Sequence, residues 1–312
     1  MIIDKPGIYR NIDVAEYHAD PAPTPSLSQS LAKILIDQSP LHASVAHPRL
    51  TTAHDVDDDT EKYVKAKVIG DAAHKLMILR GKDMAVADFD DWRKKEAKEF
   101  REAAEANGQL PILREHMDTA TKIVFAGQKQ LFDHQEGDCF TKGAGEVALI
   151  WQEGPIWFRC LVDWLHDDLR TIDDYKTTGM SVAPHVLGAR AADGGWHIQA
   201  AMIERGLDVL DPDNAGRRKY RFVAQEQNAP YGLNVMVMTE HWLTMGRKQL
   251  QYAVDRWSIC IAANNWPGYP PFAVMPEFPG FKENNWLQRE LAYEADNRPK
   301  VPKFDPKTLM AG

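Results

Sequence analysis

The sequence predicts an α/β protein with a central mixed β-sheet flanked by helices. Three observations carry that prediction. Apolar residues keep helical spacing through much of residues 25–135, strict alternation takes over near residue 145, and helical and alternating runs then take turns to about residue 264. At 312 residues, 44% hydrophobic and 26% charged, the chain has the composition of a soluble globular protein and ample material for a core. We read it as one domain over 1–312. Its parts are a helical N-terminal region (25–135), a sheet-and-helix core (143–272) and a C-terminal extension (273–312). No internal repeat is present.

The first 25 residues read as irregular and end in Pro21-Ala22-Pro23-Thr24-Pro25. A helix is expected from Ser26, with Gln29 at capping-box spacing and Leu31, Ile34 and Leu35 on its apolar face. Ser39-Pro40 reads as the cap and first residue of a second short helix. The acidic stretch with Asp55, Asp57, Asp58 and Asp59 lacks the spacing and turn glycine of an EF-hand, and reads as a solvated loop. A longer helix covers 61–79 on a stripe of Val64, Val68, Ala72, Leu76 and Leu79. A Lys/Glu-rich helix covers 92–107, with Lys95–Glu99 and Lys98–Glu102 at i,i+4 and Gly108 as its stop. Pro111 opens a further helix to about Leu131.

Strands are expected at 145–152 and 156–166, joined by a two-residue turn at Glu153-Gly154, and at 170–177. A helix at Trp196–Glu204 ends at Gly206. Strands at 221–225 and 233–241 and a helix at 244–264 follow. The last 45 residues, rich in Pro and Asn, read as a surface wrap.

Several function classes fall away at this point. No apolar run reaches the roughly 18 residues of a membrane span, and Met1-Ile2-Ile3-Asp4-Lys5-Pro6 lacks the basic and apolar regions of a signal peptide. A cytoplasmic location is therefore expected. Cys139, Cys160 and Cys260 are too few and too scattered for a disulfide scaffold or a four-thiolate cluster. No phosphate-binding Gly-x-x-x-x-Gly-Lys-Ser/Thr loop occurs, so no ATP-driven motor is expected. The net charge of −8 argues against a protein that coats nucleic acid by neutralising phosphates, while leaving room for one local basic groove.

The candidate chemistry centres on Asp163 and Asp174-Tyr175-Lys176. On a strand, Asp174 and Lys176 emerge on one face, while Asp173 and Tyr175 point to the other. Carboxylates beside an ammonium suit a hard divalent cation that keeps waters and takes a substrate phosphate. With the turn at Glu153-Gly154, Glu146 falls opposite Leu161 and diagonal to Asp163, about 7–8 Å away. The same residues also describe ordinary charges on a half-solvated sheet. Gly70 lies one helical turn before His74, leaving a gap through which a substrate backbone reaches the imidazole. A lone helical histidine is also a common structural feature, and Gln199 equally suits a solvent-facing position.

Taken in order, Gly70-x-x-x-His74, Glu146, Asp163, Asp174-Tyr175-Lys176 and Gln199 resemble the site of RecB-type nucleases of the PD-(D/E)xK superfamily. More narrowly, the chain is similar to the RecE, or exodeoxyribonuclease VIII-like, nuclease family and its phage relatives. Leu27-Ser28-Gln29-Ser30, Ser39-Pro40-x-His42, Thr177-Thr178 and Trp266-Pro267-Gly268-Tyr269 add to the resemblance outside the site, which spans about residues 25–272. It implies a restriction-endonuclease-like core with an N-terminal helical region. Asp163, Asp174 and the main-chain carbonyl of Tyr175 are the implied metal ligands, for Mg²⁺ with Mn²⁺ as a substitute. Lys176 orients the attacking water, Glu146 assists, and His74 holds a second metal or the phosphate. Gln199 matches a Gln-x-x-x-Tyr motif whose tyrosine is Ile203 here, which puts the phosphate contact ascribed to that tyrosine in doubt. Cas4-like and AddB-like relatives carry an iron–sulfur cluster, for which this chain lacks the cysteines.

The implied activity is 5′→3′ exonucleolytic hydrolysis of linear double-stranded DNA, without ATP or an iron–sulfur cluster. The implied partners are duplex ends and a single-strand annealing recombinase. A ring-like homo-oligomer in a bacterial host, encoded by a phage or prophage, completes the picture. Two alternatives stay open: a structure-specific endonuclease or nickase on the same fold, and a decayed DNA-binding recombination or defence component.

Overall fold

The computed structural model describes residues 2–50 and 61–297. The acidic stretch at 55–59 and Lys300, Lys303 and Lys307 lie outside them. The chain forms two compact units, residues 1–268 and 269–312. Among the described residues no helix is long and apolar enough to cross a membrane. Cys139, Cys160 and Cys260 are buried and unpaired.

The first unit opens with β1 (Gly7–Tyr9) and α1 (Val14–His18), where an irregular segment was expected; Asp13 caps α1 by accepting from the Ala15 and Glu16 amides. Leu27–Ser28 form β2, and α2 (Gln29–Asp37) follows, so the helix starts three residues later than its capping pattern predicts. Ser28 is the cap, accepting from the Leu31 amide, because Ser26 is already engaged. Its amide and hydroxyl both donate to buried Asp20. Helix α3 (Pro40–Ala46) starts at its proline as expected.

Helix α4 (Glu61–Ile78) buries Ile69, Ala72, Ala73, Met77 and Ile78, a stripe rotated from the predicted one. Leu79 lies beyond the helix with φ 56° and is 81% exposed. A small parallel pair, β3 (Met84–Ala87) and β4 (Leu110–Leu113), brackets α5 (Lys95–Ala106). Pro111 sits in β4 rather than opening a helix, which a two-stranded edge tolerates. Helix α6 (Arg114–Phe132) begins after it. On α5 the Lys95–Glu99 pair forms at 3.6 Å, beside an Arg101–Glu105 pair at 2.9 Å.

The main sheet adds β5 (Gly143–Glu153), β6 (Ile156–His166), β7 (Thr171–Thr178), β8 (Lys219–Glu226) and β9 (Leu233–Val237). Its order is β1-β5-β6-β7-β8-β9, with β2 also paired to β6. The β7–β8 and β2–β6 pairs are parallel and the others antiparallel, which makes the sheet mixed. The parallel crossover from β7 to β8 carries α7 (Pro184–Gly194) and α8 (Trp196–Leu210). Helix α7 was not expected; its start signal is Pro184 at the first turn, and its Ala/Gly-rich body shows little periodicity. Gly206 does not end α8. It lies inside the helix, where an added Cβ would come within 2.8 Å of the Trp151 ring, so glycine lets α8 settle onto β5.

Helix α9 (Glu240–Ala263) covers α8. The larger core lies between the sheet and α2, α8 and α9, with Trp151, Phe158, Met202 and Trp257 at its centre. A second core, built on Ile69, Ile123, Tyr175 and Val223, joins the sheet to α4 and α6. In the second unit, Gly280–Asn297 forms α10, with no buried residue, where the sequence suggested only a wrap.

The N-terminal segment is pinned to β6 through Asp20. Its carboxylate receives Ser26 at 2.6 and 3.0 Å and lies 3.0 Å from Arg159 and 3.1 Å from His47. Burial alone would raise the Asp20 pKa, but His47, Arg159 and Ser26 outweigh it and hold it below the ordinary 3.8. A depressed folded pKa stabilises above 3.8 and loses that contribution as pH falls through the folded value. Asp20→Asn is therefore expected to cost about 1–3 kcal/mol at pH 7. Urea denaturation at a series of pH values should show the gap to wild type closing below pH 3.8; a gap independent of pH would refute this role.

Candidate active site

The site lies at a fork in the sheet. Strand β6 pairs with β5 on one edge from Ile156 to His166, the pairing being interrupted only at Glu146 and Asp163. On its other edge it pairs with β2 at Phe158–Arg159 and with β7 at only Trp164 and Leu165. Between those contacts β6 and β7 part, and Asp163 Oδ2 takes the Tyr175 amide at 3.0 Å in place of a ladder partner. Asp163 on β6 and Asp174 and Lys176 on β7 thus meet where backbone pairing stops. Lys176 Nζ is 2.6 Å from Asp174 Oδ1. The Gln199 amide of α8 donates to Asp174 Oδ2.

The alternation of β7 sends Asp173 and Tyr175 to the opposite face. There the Tyr175 hydroxyl donates to Gln225 at 2.6 Å. Asp173 receives Arg221 at 2.6 and 3.0 Å and the Phe140 amide at 2.8 Å, with His166 at 2.7 Å. Arg221 also donates to Asp138 at 2.5 Å and Glu136 at 2.9 Å. This ionic block anchors β7 and β8 beneath the fork.

Two carboxylates at one opening cannot both keep ordinary pKa values. Burial, reinforced by the Asp163 charge, raises Asp174 despite the Lys176 ammonium. Burial also works on Asp163, but His74, Lys176 and the Tyr175 amide outweigh it and hold this carboxylate below its usual range. Burial disfavours the charged forms of His74 and Lys176; the facing carboxylates reverse that and raise both.

His74 Nε2 lies 3.2 Å from Asp163 Oδ2, which brings α4 into the site. The role expected for Gly70 changes. A Cβ there would come within 2.9 Å of Thr177 Oγ1, so the space is filled by the end of β7 and is no passage for substrate. The Gln227 amide ties the same junction, donating to Ala66 O and Thr177 Oγ1 at 3.0 Å each. Close packing at Gly70 is what sets His74 over Asp163.

The hairpin register also differs from expectation. The turn is Gly154-Pro155, because Gly154 takes φ 56°, the left-handed conformation such a turn needs. Gly145 then pairs with Trp164 and Val147 with Val162, which puts Glu146 directly across from Asp163 instead of diagonal to it. Glu146 itself has φ 51°, and burial and the Asp163 charge raise its pKa. Gln199 faces the site, whereas Ile203, one turn later, is 1% exposed inside the larger core.

A polar cavity of about 190 Å³ opens at the fork. It is lined by Asp163, Lys176 and Gln199 together with Arg159, Ser28 and Ser30. The sequence reading left Leu27-Ser28-Gln29-Ser30 outside the site. Pairing of β2 with β6 brings it in, and only its polar pattern at a helix start signalled it beforehand. His18 also borders this cavity and was not anticipated.

Among the described residues, no three His, Cys, Asp or Glu side chains converge to hold a metal ion. The donors that do meet are the carboxylates of Asp163 and Asp174, flanking the backbone of Tyr175. Asp174 Oδ1 is buried with the Lys176 ammonium 2.6 Å away, and among the described residues no other donor reaches it. An acceptor so placed fits a small hard cation that draws its remaining ligands from water and phosphate.

No protein-family model matches the chain, and no curated protein matches it. Among solved structures, the chain is similar to that of a putative exonuclease from Eubacterium rectale, with a TM-score of 0.56 and 9% identity over 88% of this chain and 98% of that one. At that identity the likeness shows the fold: an α/β architecture with a central mixed sheet flanked by helices.

Proposed function

We propose that the protein is a divalent-metal-dependent deoxyribonuclease that degrades linear double-stranded DNA from its ends. The observation that carries this reading is the meeting of Asp163, Asp174 and Lys176 at the open fork between β6 and β7, where Asp174 Oδ1 faces the Lys176 ammonium alone among the described residues. The likeness to a nuclease-type fold supports it. Asp163, Asp174 and the Tyr175 carbonyl would hold Mg²⁺, or Mn²⁺ in its place. When bound, the cation supplies Lewis-acid stabilisation of charge at the scissile phosphate and a water of lowered pKa.

The protein's own groups do the rest. Lys176, released from Asp174, places its ammonium beside the attacking water and the charge that grows on the phosphoryl oxygens. Gln199 fixes the rotamer of Asp174 by donating to its other oxygen. His74 Nε2 meets Asp163 at Oδ2, the oxygen that also takes the Tyr175 amide, and Glu146 across the ladder adds a carboxylate at its edge. Polarity of 5′→3′, release of 3′ single strands to an annealing recombinase and a ring-like homo-oligomer belong to the same proposal. A ring retains DNA by topology, which suits a chain of net charge −8.

Linear duplex labelled at either end and covalently closed circles of the same sequence, each incubated with Mg²⁺, test the proposal. Progressive loss of label from the 5′ ends, with circles intact, is the expected result. Equal cutting of circles would establish an endonuclease instead, and metal binding with no cleavage at all would indicate a DNA-binding component.

A further inference from the structure

A second cavity begins at Lys176 on the side away from Ser28. It has a volume of about 390 Å³ and runs between the end of β7 and helix α7, past Thr178, Met180, Leu187, Arg190 and Trp196. Asp174, Lys176 and Thr178 are alternate residues of β7, so the cavity continues the face that carries the proposed chemistry. Its floor is apolar, because Leu187 belongs to a small core with Val182 and Ala224, and Trp196 packs against that core and stacks on Phe222 at 5.1 Å.

Arg190 is the anomaly in this wall. Among the described residues it makes no ion pair and no hydrogen bond, although its Nε is buried. A buried guanidinium N–H without a partner is costly. Carboxylates are abundant in this chain, and Asp193 on the same helix borders the same cavity, yet it forms no ion pair with Arg190. The guanidinium borders the cavity, where an anion arriving from outside can meet it. Guanidinium forks suit phosphate oxygens, and an apolar wall with an indole suits a base.

We infer that this cavity seats the nucleotide adjoining the scissile phosphate. Arg190 donates to that nucleotide's own phosphate, and its base lies against Met180, Leu187 and Trp196. The inference rests on the nuclease reading above and assigns that site a substrate position.

Steady-state cleavage of short blunt duplexes tests it, using Arg190→Met, Arg190→Lys and substrates in which single phosphates of the cleaved strand are replaced by neutral methylphosphonates. Arg190→Met keeps the aliphatic stem and should raise KM about tenfold, with kcat within about twofold, as expected for loss of one charge-assisted phosphate contact. The salt dependence of log KM should flatten by about 0.9 for that one phosphate. Arg190→Lys should recover part of the loss. On wild type, one methylphosphonate position should cost about the same tenfold, and on Arg190→Met that position should cost nothing more.

The scan on wild type needs no variant to fold. An unchanged KM, or methylphosphonate penalties identical in wild type and Arg190→Met at every position, overturns the subsite and leaves the nuclease reading intact. A wild-type protein that cleaves no duplex with Mg²⁺ or Mn²⁺ overturns both.

Discussion

Asp174→Ala and Lys176→Ala should each lower Mg²⁺-supported cleavage of linear duplex by about a thousandfold, the scale set when a group stabilising transition-state charge is removed. The two losses should differ in kind. Asp174→Ala removes one of the two carboxylates that meet at the fork, so titration calorimetry should show metal binding lost along with cleavage. Lys176→Ala removes the ammonium that faces Asp174 at 2.6 Å but leaves both carboxylates in place, so metal should still bind. Lys176→Ala leaves Asp174, 3% exposed, without its ammonium, so some stability is lost as well, and the thermal midpoint measured with Mg²⁺ serves as the control that the variant is folded under assay conditions. Full activity in both variants would show that the fork between β6 and β7 is not where hydrolysis occurs.

The largest loss of stability should follow Asp173→Ala, one residue away on the opposite face of β7. That carboxylate is fully buried and receives both Arg221 and the Phe140 amide, with His166 alongside. The Arg221 side chain is 1% exposed, so the substitution leaves a guanidinium inside the protein with Glu136, Asp138 and the His166 ring nitrogen as its remaining partners. Removing one partner of a buried ion pair costs about 3–5 kcal/mol, because the other charge stays behind uncompensated. Urea denaturation measures it directly, and a loss below about 1 kcal/mol would mean that Glu136, Asp138 and His166 satisfy Arg221. The contrast with Asp174 is instructive. Adjacent aspartates on one strand serve opposite ends: Asp173 is saturated with donors, whereas Asp174 has one donor on each oxygen, Lys176 and Gln199.

Much of this was legible in the sequence because it depends on local periodicity. Alternation along 156–166 located β6 to the residue. The i,i+2 relation put Asp174 and Lys176 on one face and Asp173 and Tyr175 on the other, as the structure has them. Where local signals competed, the reading slipped. Ser26 looks like a helix cap, but burial against Asp20 and Arg159 recruits it elsewhere and Ser28 becomes the cap. Pro111 looks like a helix opener, yet a short edge strand accommodates it. The turn at Gly154-Pro155, in place of Glu153-Gly154, realigned the hairpin and moved Glu146 from diagonal to directly across from Asp163.

Gly70 and the serines of Leu27-Ser28-Gln29-Ser30 show the harder limit. Whether a missing Cβ admits a substrate or a neighbouring strand depends on what packs there, and Thr177 decides it. Ser28 reaches the cavity only because β2 docks beside β6 across 130 intervening residues, from Ser28 to Arg159. No local pattern encodes that pairing.

By itself, then, the sequence determined the class of the fold and the identity of the charged residues that share strand faces, since side-chain alternation is a property of the extended backbone. Only the tertiary structure decided that β6 and β7 part at Asp163, that α4 packs closely enough at Gly70 to lay His74 on that carboxylate, and that Arg190 is left without a partner. Those outcomes depend on contacts between segments far apart in the chain, where packing selects which polar groups are satisfied and which are left to meet a ligand.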